Sequence, residues 1–323
     1  MGIDIVKNKV KMTEGRVRII SFCRFMLLKK PERKTVLGER FFYTISLIAN
    51  TIWVTGILSR NHYNNMIRDV APYKLEDHLI DLGRKEFKGK PKEISFTPNK
   101  PANALINDIQ RHPHAYVLGC IADRQVKSEV AWEIPYKISQ KLGGFGFHIL
   151  TGLKARELRS LVRAAGHRFW NNISKSFYAG IKRIEKEYHG DASRIWADRP
   201  SSAELVYRFL EFNGIGPKIA TMAANILSRD FKIILSDYYS IDISVDRHIQ
   251  MVFKRLKFVP MDASPNQIIY RARAIHPEHP GLLDYACFKI GKTWCKPNKP
   301  DCLHCEISRM CPTFQGGKIP ADG

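Results

Sequence analysis

The chain has 323 residues, 44% of them hydrophobic and 26% charged, with 52 Lys and Arg against 31 Asp and Glu for a formal net charge of +21. That length and apolar content exclude a small disulfide scaffold and a disordered chain, and leave room for about two domains with a sizeable core. The basic excess calls for a polyanionic partner, with nucleic acid ahead of a membrane surface.

The first forty residues hold eleven Lys/Arg and four acids, and Phe41 to Leu58 then runs for eighteen residues without a charge. Such a length sits at the lower limit for a membrane span. Thr44, Ser46, Asn50, Thr51 and Thr55 dilute it, however, and a buried or amphipathic helix is the expectation, with membrane contact through 41–58 not favoured. The run also starts too late for a secretory signal. Gly83 to Pro101, basic and with three Pro, reads as a loop or linker.

From Pro113 onward the apolar residues recur at helical spacing and no alternating strand pattern appears, so the expected fold class is all-α. Asp123-Arg124-Gln125-Val126 is expected to begin a helix that runs to Ile138. Residues 151–190 carry nine Lys/Arg against three Glu on segments with helical apolar spacing, which gives a basic helical surface. Ser201 reads as an N-cap with Glu204 as its capping-box partner, followed by an apolar face of Leu205, Val206, Phe209 and Phe212. Asn213-Gly214-Ile215-Gly216 breaks that helix, and Pro217 opens the next one, faced by Ile219, Ala220, Ala223, Ala224 and Leu227. Two helices joined by such a turn present free backbone N–H groups, which can hold a phosphate without reading a base.

Near the C-terminus, Cys295, Cys302, Cys305 and Cys311 are separated by six, two and five residues in a stretch rich in Lys and Pro. Leu303 is the one apolar residue between Lys296 and Glu306, so these thiols do not belong to a core and read as ligands. From spacing alone both zinc and an iron–sulfur cluster stay open. Cys23, Cys120 and Cys287 sit in apolar surroundings as buried free thiols would, and nothing suggests a secreted disulfide framework, which points to a reducing cytosol.

The segment Phe212-Asn-Gly-Ile-Gly-Pro-Lys-Ile-Ala220 resembles the helix-hairpin-helix motif of DNA glycosylases related to endonuclease III. Twenty-eight residues beyond Lys218, Val245-Asp246-Arg247-His248-Ile249 resembles that family's segment with the catalytic aspartate. Gly291-Lys-Thr-Trp-Cys295 and the cysteine spacing then match its iron–sulfur loop in order and interval. The resemblance covers roughly residues 74–311, and the stretch between Lys218 and Asp246 is longer than in the best-known members.

This resemblance implies a two-domain helix-hairpin-helix architecture, a six-helix barrel plus an iron–sulfur cluster domain, with a [4Fe–4S] cluster on the four cysteines. The division it suggests is a basic extension over 1–73, a cluster domain from 74–112 and 250–323, and a barrel domain over 113–249. It implies excision of a damaged or mismatched base from double-stranded DNA, with abasic-site lyase activity, by a monomer in the cytoplasm at the nucleoid. Asp246 would stabilise positive charge developing on the sugar, and Lys218 would attack its anomeric carbon, its ammonium form disfavoured by the helix dipole, a basic surface and partial burial. Gly214, Ile215 and Gly216 would grip the DNA backbone, and Gln125 would fill the gap left by the extruded base. Asp246 can at the same time cap the helix that follows. Lys296, Lys299 and Arg309 would meet backbone phosphates, while His248 and His304 are expected to be structural.

The extra stretch with Asp237, Tyr238, Tyr239 and Asp242 is expected to reshape the base pocket. A monofunctional glycosylase using Asp246 alone and a noncatalytic DNA-binding protein are the alternatives. An adenine-mismatch specificity is less attractive, with twelve residues after Cys311. Oxidised pyrimidines are the default lesion.

Overall fold

The computed structural model describes residues 74–314. The N-terminal extension, the apolar segment 41–58 and Cys23 lie outside them. Among the described residues there are twelve α-helices, two short 3₁₀ turns and no strand, as the apolar periodicity requires. No helix among them is long and apolar enough to cross a membrane.

In chain order the helices are α1 (Leu75–Lys88), α2 (Lys100–Asn107), α3 (Pro113–Ala122), α4 (Ser128–Leu142), α5 (Phe147–Thr151) and α6 (Ala155–Ala164). They continue with α7 (Trp170–Glu187), α8 (Ser202–Leu210), α9 (Pro217–Arg229), α10 (Arg247–Arg255), α11 (Pro265–Ile275) and α12 (Leu282–Thr293). Helix α3 is buried along its whole length, because its ten residues from Pro113 to Ala122 are nearly all apolar. Helices α2, α4 and α7 pack directly on it, and α6, α8 and α9 contribute further side chains to the same core.

Two hydrophobic cores result. The larger is built on α3, with Tyr116, Phe177, Phe209 and Phe212 among its fully buried side chains. The smaller joins Leu79 and Ile80 of α1 to α10, α11 and α12 and to Ile307 of the cysteine segment. In the closest approach of that core, Gly83 of α1 lies where an added Cβ would stand 2.0 Å from the Leu282 carbonyl oxygen. Both ends of the described chain thus share the smaller core. The boundaries differ from the expected ones, however: Ile94, Phe96, Ile106 and Ile109 pack into the larger core, and Ile243 packs into the smaller. Of the stretch 74–112, it is α1 that carries the smaller core's residues. The linker expected from Gly83 likewise starts later, because α1 continues to Lys88.

Several buried polar groups lock this arrangement. The Tyr116 hydroxyl donates to the Ala223 carbonyl at 2.9 Å, and Asn225 Nδ2 donates to the Asp242 carbonyl at 2.7 Å. His114 Nε2 donates to the Phe145 carbonyl at 2.6 Å, and His279 lies against Phe87 and Tyr238. Burial lowers both imidazoles, His114 to about 4 and His279 to about 3. Their folded values lie below the ordinary value of about 6.5, so the unfolded chain binds more protons over that interval. Stability is therefore full above pH 6.5 and is lost as pH falls toward 4, at up to about 1.4 kcal/mol per pH unit for each histidine. Urea midpoints measured between pH 7 and pH 5 are expected to fall accordingly, and His279→Phe should make that decline about half as steep.

Candidate active-site cleft and cysteine loop

The hairpin forms as its residues dictate. The Ser201 side chain accepts from the Glu204 N–H at 3.1 Å and starts α8. The reciprocal half of the expected capping box is replaced, since Glu204 pairs with Arg208 at 2.9 Å. The turn requires Gly214 twice over: its φ is +97°, and a Cβ there would meet the Arg124 guanidinium at 2.8 Å and Ser176 Oγ at 3.0 Å. Ile215 is buried and anchors the turn. Gly216 has ordinary extended geometry, φ −99° and ψ 177°, and a Cβ there would meet nothing within 4 Å. No side chain caps the α9 N-terminus that follows, which leaves its first backbone N–H groups without an intrahelical partner.

Lys218 stands in the first turn of α9 and Asp246 at the N-cap of α10, and both line one cleft of about 320 Å³. Asp246 Oδ1 accepts from the Ile249 N–H at 2.8 Å, so the carboxylate is held by the helix start while Oδ2 has no hydrogen-bond partner among the described residues. Lys218 is exposed and not partly buried as expected, because it precedes the buried run of α9, which starts at Ile219.

One wall of the cleft is apolar, formed by Ile94, Phe96, Val126, Trp132, Met222 and Ile226. Phe96 and Trp132 stack with centroids 4.2 Å apart and planes 24° apart, which gives that wall an aromatic surface. The opposite side is polar and held by a buried network. Asp284 of α12 accepts from both the backbone N–H and the hydroxyl of Ser244 at 2.7 Å, and its other oxygen faces Arg229 Nη1 at 3.3 Å. Arg229 also donates to Asp230 at 2.8 and 3.0 Å. Burial raises the Asp284 carboxyl, with Arg229 and the two Ser244 donors opposing that shift. Asp284, Arg229, Ser244 and Asp123 were not singled out from sequence, since no local pattern marks a contact across separated segments.

Other expected site residues fall elsewhere. Gln125 is exposed on a loop and not in a helix: α3 ends at Ala122 and α4 starts at Ser128. Its φ of +55° is uncommon for a residue with a side chain and turns the chain sharply between the helices. The long stretch after α9 does not reshape the pocket through the residues expected. Asp237 accepts from the hydroxyl of Ser202, Tyr238 stacks on His279 at 4.7 Å, Asp242 pairs with Arg273 through two 2.7 Å contacts, and Tyr239 is exposed. That stretch instead supplies Asp230 and Ser244 to the cleft.

The four cysteines line a separate apolar cavity with Trp294, Leu256 and Ile307. Among the described residues no group of three or more His, Cys, Asp or Glu is gathered closely enough to hold a metal ion as the side chains stand. Burial pushes the Cys295, Cys302 and Cys305 thiols up, Cys305 to about 11. Arg255 Nη1 faces Cys295 Sγ at 3.6 Å and also donates to the Lys296 carbonyl at 2.8 Å. Four thiols around one apolar space, with a guanidinium beside one of them, form a donor set that suits a thiolate-bound cluster. His304 is turned to Asp301 at 2.8 Å, away from any ligand role, and His248 packs edge-on to Phe288. Lys296, Lys299 and Arg309 are exposed around the loop. Cys120 and Cys287 are fully buried, as their apolar surroundings suggested.

No protein-family model matches the chain. The adenine DNA glycosylase of Mus musculus is 20% identical over 167 residues, a match that covers 50% of this chain and 30% of that protein. The chain therefore spans under a third of that relative's length. Among solved structures, a trapped covalent intermediate of endonuclease III with DNA matches at 18% identity and TM-score 0.48, over 74% of this chain and 96% of that one. A non-covalent endonuclease III–DNA complex matches at 21% identity and TM-score 0.47, over 73% and 93%. A thermostable thymine-DNA glycosylase matches at 13% identity and TM-score 0.49, over 74% and 96%.

Asp246 has two separable duties in this geometry, capping α10 and presenting a charge to the cleft. Asp246→Asn keeps a capping oxygen and is expected to melt within about 0.5 kcal/mol of the parent, whereas Asp246→Ala should lose about 1 kcal/mol by denaturant titration.

Proposed function

We propose that this protein is a DNA glycosylase of the endonuclease III type that excises a damaged or mismatched base and then cleaves the abasic strand by β-elimination. The observation that carries the reading is the meeting of Lys218 and Asp246, each at the start of its own helix, in one cleft with an aromatic wall. The partial match to an adenine DNA glycosylase supports the first half of it.

A base inside a duplex is shielded from attack at its sugar carbon, so the nucleotide must be extruded at a cost of a few kcal/mol. The hairpin's uncapped helix start and the clearance at Gly216 suit it to hold the backbone, and Arg124 beside Gly214 adds a cation. Gln125 would occupy the vacated stack, a role that its exposure on a tight loop supports. The extruded base meets Phe96 and the other apolar residues of the wall. The Asp246 carboxylate stabilises positive charge as it develops on the sugar. The Lys218 amine attacks the anomeric carbon and the base leaves with the glycosidic pair; the sugar ring then opens, its C1′–O4′ pair going to a protonated ring oxygen as the nitrogen pair forms the Schiff base, which acidifies the neighbouring C–H so that the 3′ phosphate is eliminated.

Cys295, Cys302, Cys305 and Cys311 would hold a [4Fe–4S] cluster. Bound there, it supplies a rigid tie for the loop and not the bond-breaking step, so that Lys296, Lys299 and Arg309 stand ready for backbone phosphates. The chain acts on its duplex as a monomer.

On duplexes with single lesions, covering oxidised pyrimidines, mismatched uracil, thymine and adenine, and alkylated purines, the protein is expected to release one class of base and to nick the strand. Borohydride should trap a covalent protein–DNA complex, and Lys218→Ala should abolish trapping; undiminished trapping in that variant removes Lys218 from the nucleophile's role. Base release without a nick assigns the chemistry to Asp246 and water, and binding with no release from any duplex assigns a noncatalytic role. Replacing Cys302 by Ala should lower bound iron and sulfide and weaken DNA binding.

A further inference from the structure

An amine attacks only after losing its proton, and an ordinary lysine is almost wholly protonated at neutral pH, with a pKa of about 10.4. The proton needs somewhere to go within the cleft. Asp246 spends Oδ1 on the α10 helix start and has only Oδ2 free, the oxygen that the function proposed above assigns to the sugar's developing charge. Asp284 is committed to Ser244 and Arg229, and Asp230 to Arg229.

Asp123 differs from all of these. It lies at the end of the buried helix α3, where its backbone N–H donates to the Gly119 and Cys120 carbonyls at 3.1 and 3.2 Å. Its backbone is thus fixed, while its carboxylate has no hydrogen-bond partner among the described residues and lines the same cleft as Lys218 and Asp246. From the elements packed around it, Lys218 of α9, Asp246 before α10 and Glu129 of α4 face it electrostatically. Arg229, Asp230 and Asp284, already paired with one another, and Lys292 line the cleft as well. Burial raises the Asp123 carboxyl, Lys218 opposes that shift, and Asp246 and Glu129 add to it. A carboxylate in that setting accepts a proton more readily than an exposed one.

We infer that Asp123 is the proton-relay residue of the cleft, taking a proton from the Lys218 amine so that its nitrogen can attack. This rests on the function proposed above. The N–H bond of Lys218 breaks and an O–H bond forms on Asp123. The freed nitrogen pair bonds to the anomeric carbon, and the glycosidic electron pair departs with the base, which takes the proton back from Asp123. At a site already abasic, the proton goes to the oxygen that leaves the same carbon as water. Asp123 serves as the residue that prepares Lys218, and the motif match gave no reason to name it.

The test uses the full chain with its cysteine site loaded, and a duplex with a preformed abasic site, so that the preferred lesion need not be known. Single-turnover borohydride trapping is followed from pH 6 to pH 10 for the parent, Asp123→Asn and Asp123→Glu, with binding to an abasic-analogue duplex and thermal melting measured in parallel. Asp123→Asn is expected to trap about 100-fold more slowly at pH 7, with binding unchanged, and to approach the parent near pH 10, where solvent removes the lysine proton. Asp123→Glu should recover part of the neutral-pH rate. Parent-like rates in Asp123→Asn at every pH overturn the inference, as does a loss that stays constant up to pH 10, which marks a structural role. Should Asp123→Asn not fold, the Asp123→Glu profile decides: a changed pH dependence supports the relay and an unchanged one overturns it. A parent protein that traps nothing at any pH sinks the lyase reading itself, which is a separate result.

Discussion

The Asp284 carboxylate is the constraint on which the cleft depends. It sits on α12 in the smaller core, holds the backbone and hydroxyl of Ser244 with one oxygen, and faces Arg229 at the end of α9 with the other. Arg229 belongs to the second helix of the hairpin, and Ser244 stands two residues before Asp246. One buried side chain therefore ties the helix that starts with Lys218 to the segment that ends in Asp246. Such a charge is tolerable only because each of its oxygens has a partner; removing Arg229 would strand two carboxylates in the interior at a cost of about 3–5 kcal/mol.

That tie divides the labour of the site. The cleft is lined by apolar side chains, Phe96 and Trp132 among them, and by charged ones, Asp246 and Lys218 among them. Close approaches protect this geometry. Gly291 lets α12 pass within a methyl's reach of His248, since a Cβ there would stand 2.7 Å from the His248 Cβ, and Gly83 does the same for α1. The cysteine loop follows directly from the end of α12, so whatever fixes that loop also steadies the helix that carries Asp284.

Much of this was legible in the residues. The all-helical class followed from the apolar spacing, and the hairpin followed from Gly214 and Pro217, where the backbone leaves little choice. The N-cap at Asp246 is also a local event, since an aspartate before a helical run satisfies the third N–H whatever lies around it. Gln125 was read as a helix start and lies in a loop, because the break after Ala122 depends on how α3 and α4 pack and not on a strong local stop signal. Tyr238 and Asp242 looked like pocket residues and turned out to hold His279 and Arg273, partners more than thirty residues away.

The sequence by itself determined the elements and the chemical repertoire: helices, a glycine turn with an uncapped helix start, four thiols, a lysine and an aspartate at helix starts. These depend on neighbours within a turn or two, where backbone sterics and capping dominate. Tertiary structure alone decided which carboxylates remain unpaired in the cleft. Asp230, Asp242 and Asp284 are equivalent on paper, and each is neutralised by an arginine or by serine donors brought from elsewhere in the chain. Asp123 and the outer oxygen of Asp246 are left without a hydrogen-bond partner among the described residues, in the cleft that Lys218 also lines, because burial and pairing are properties of the packed whole and not of a segment.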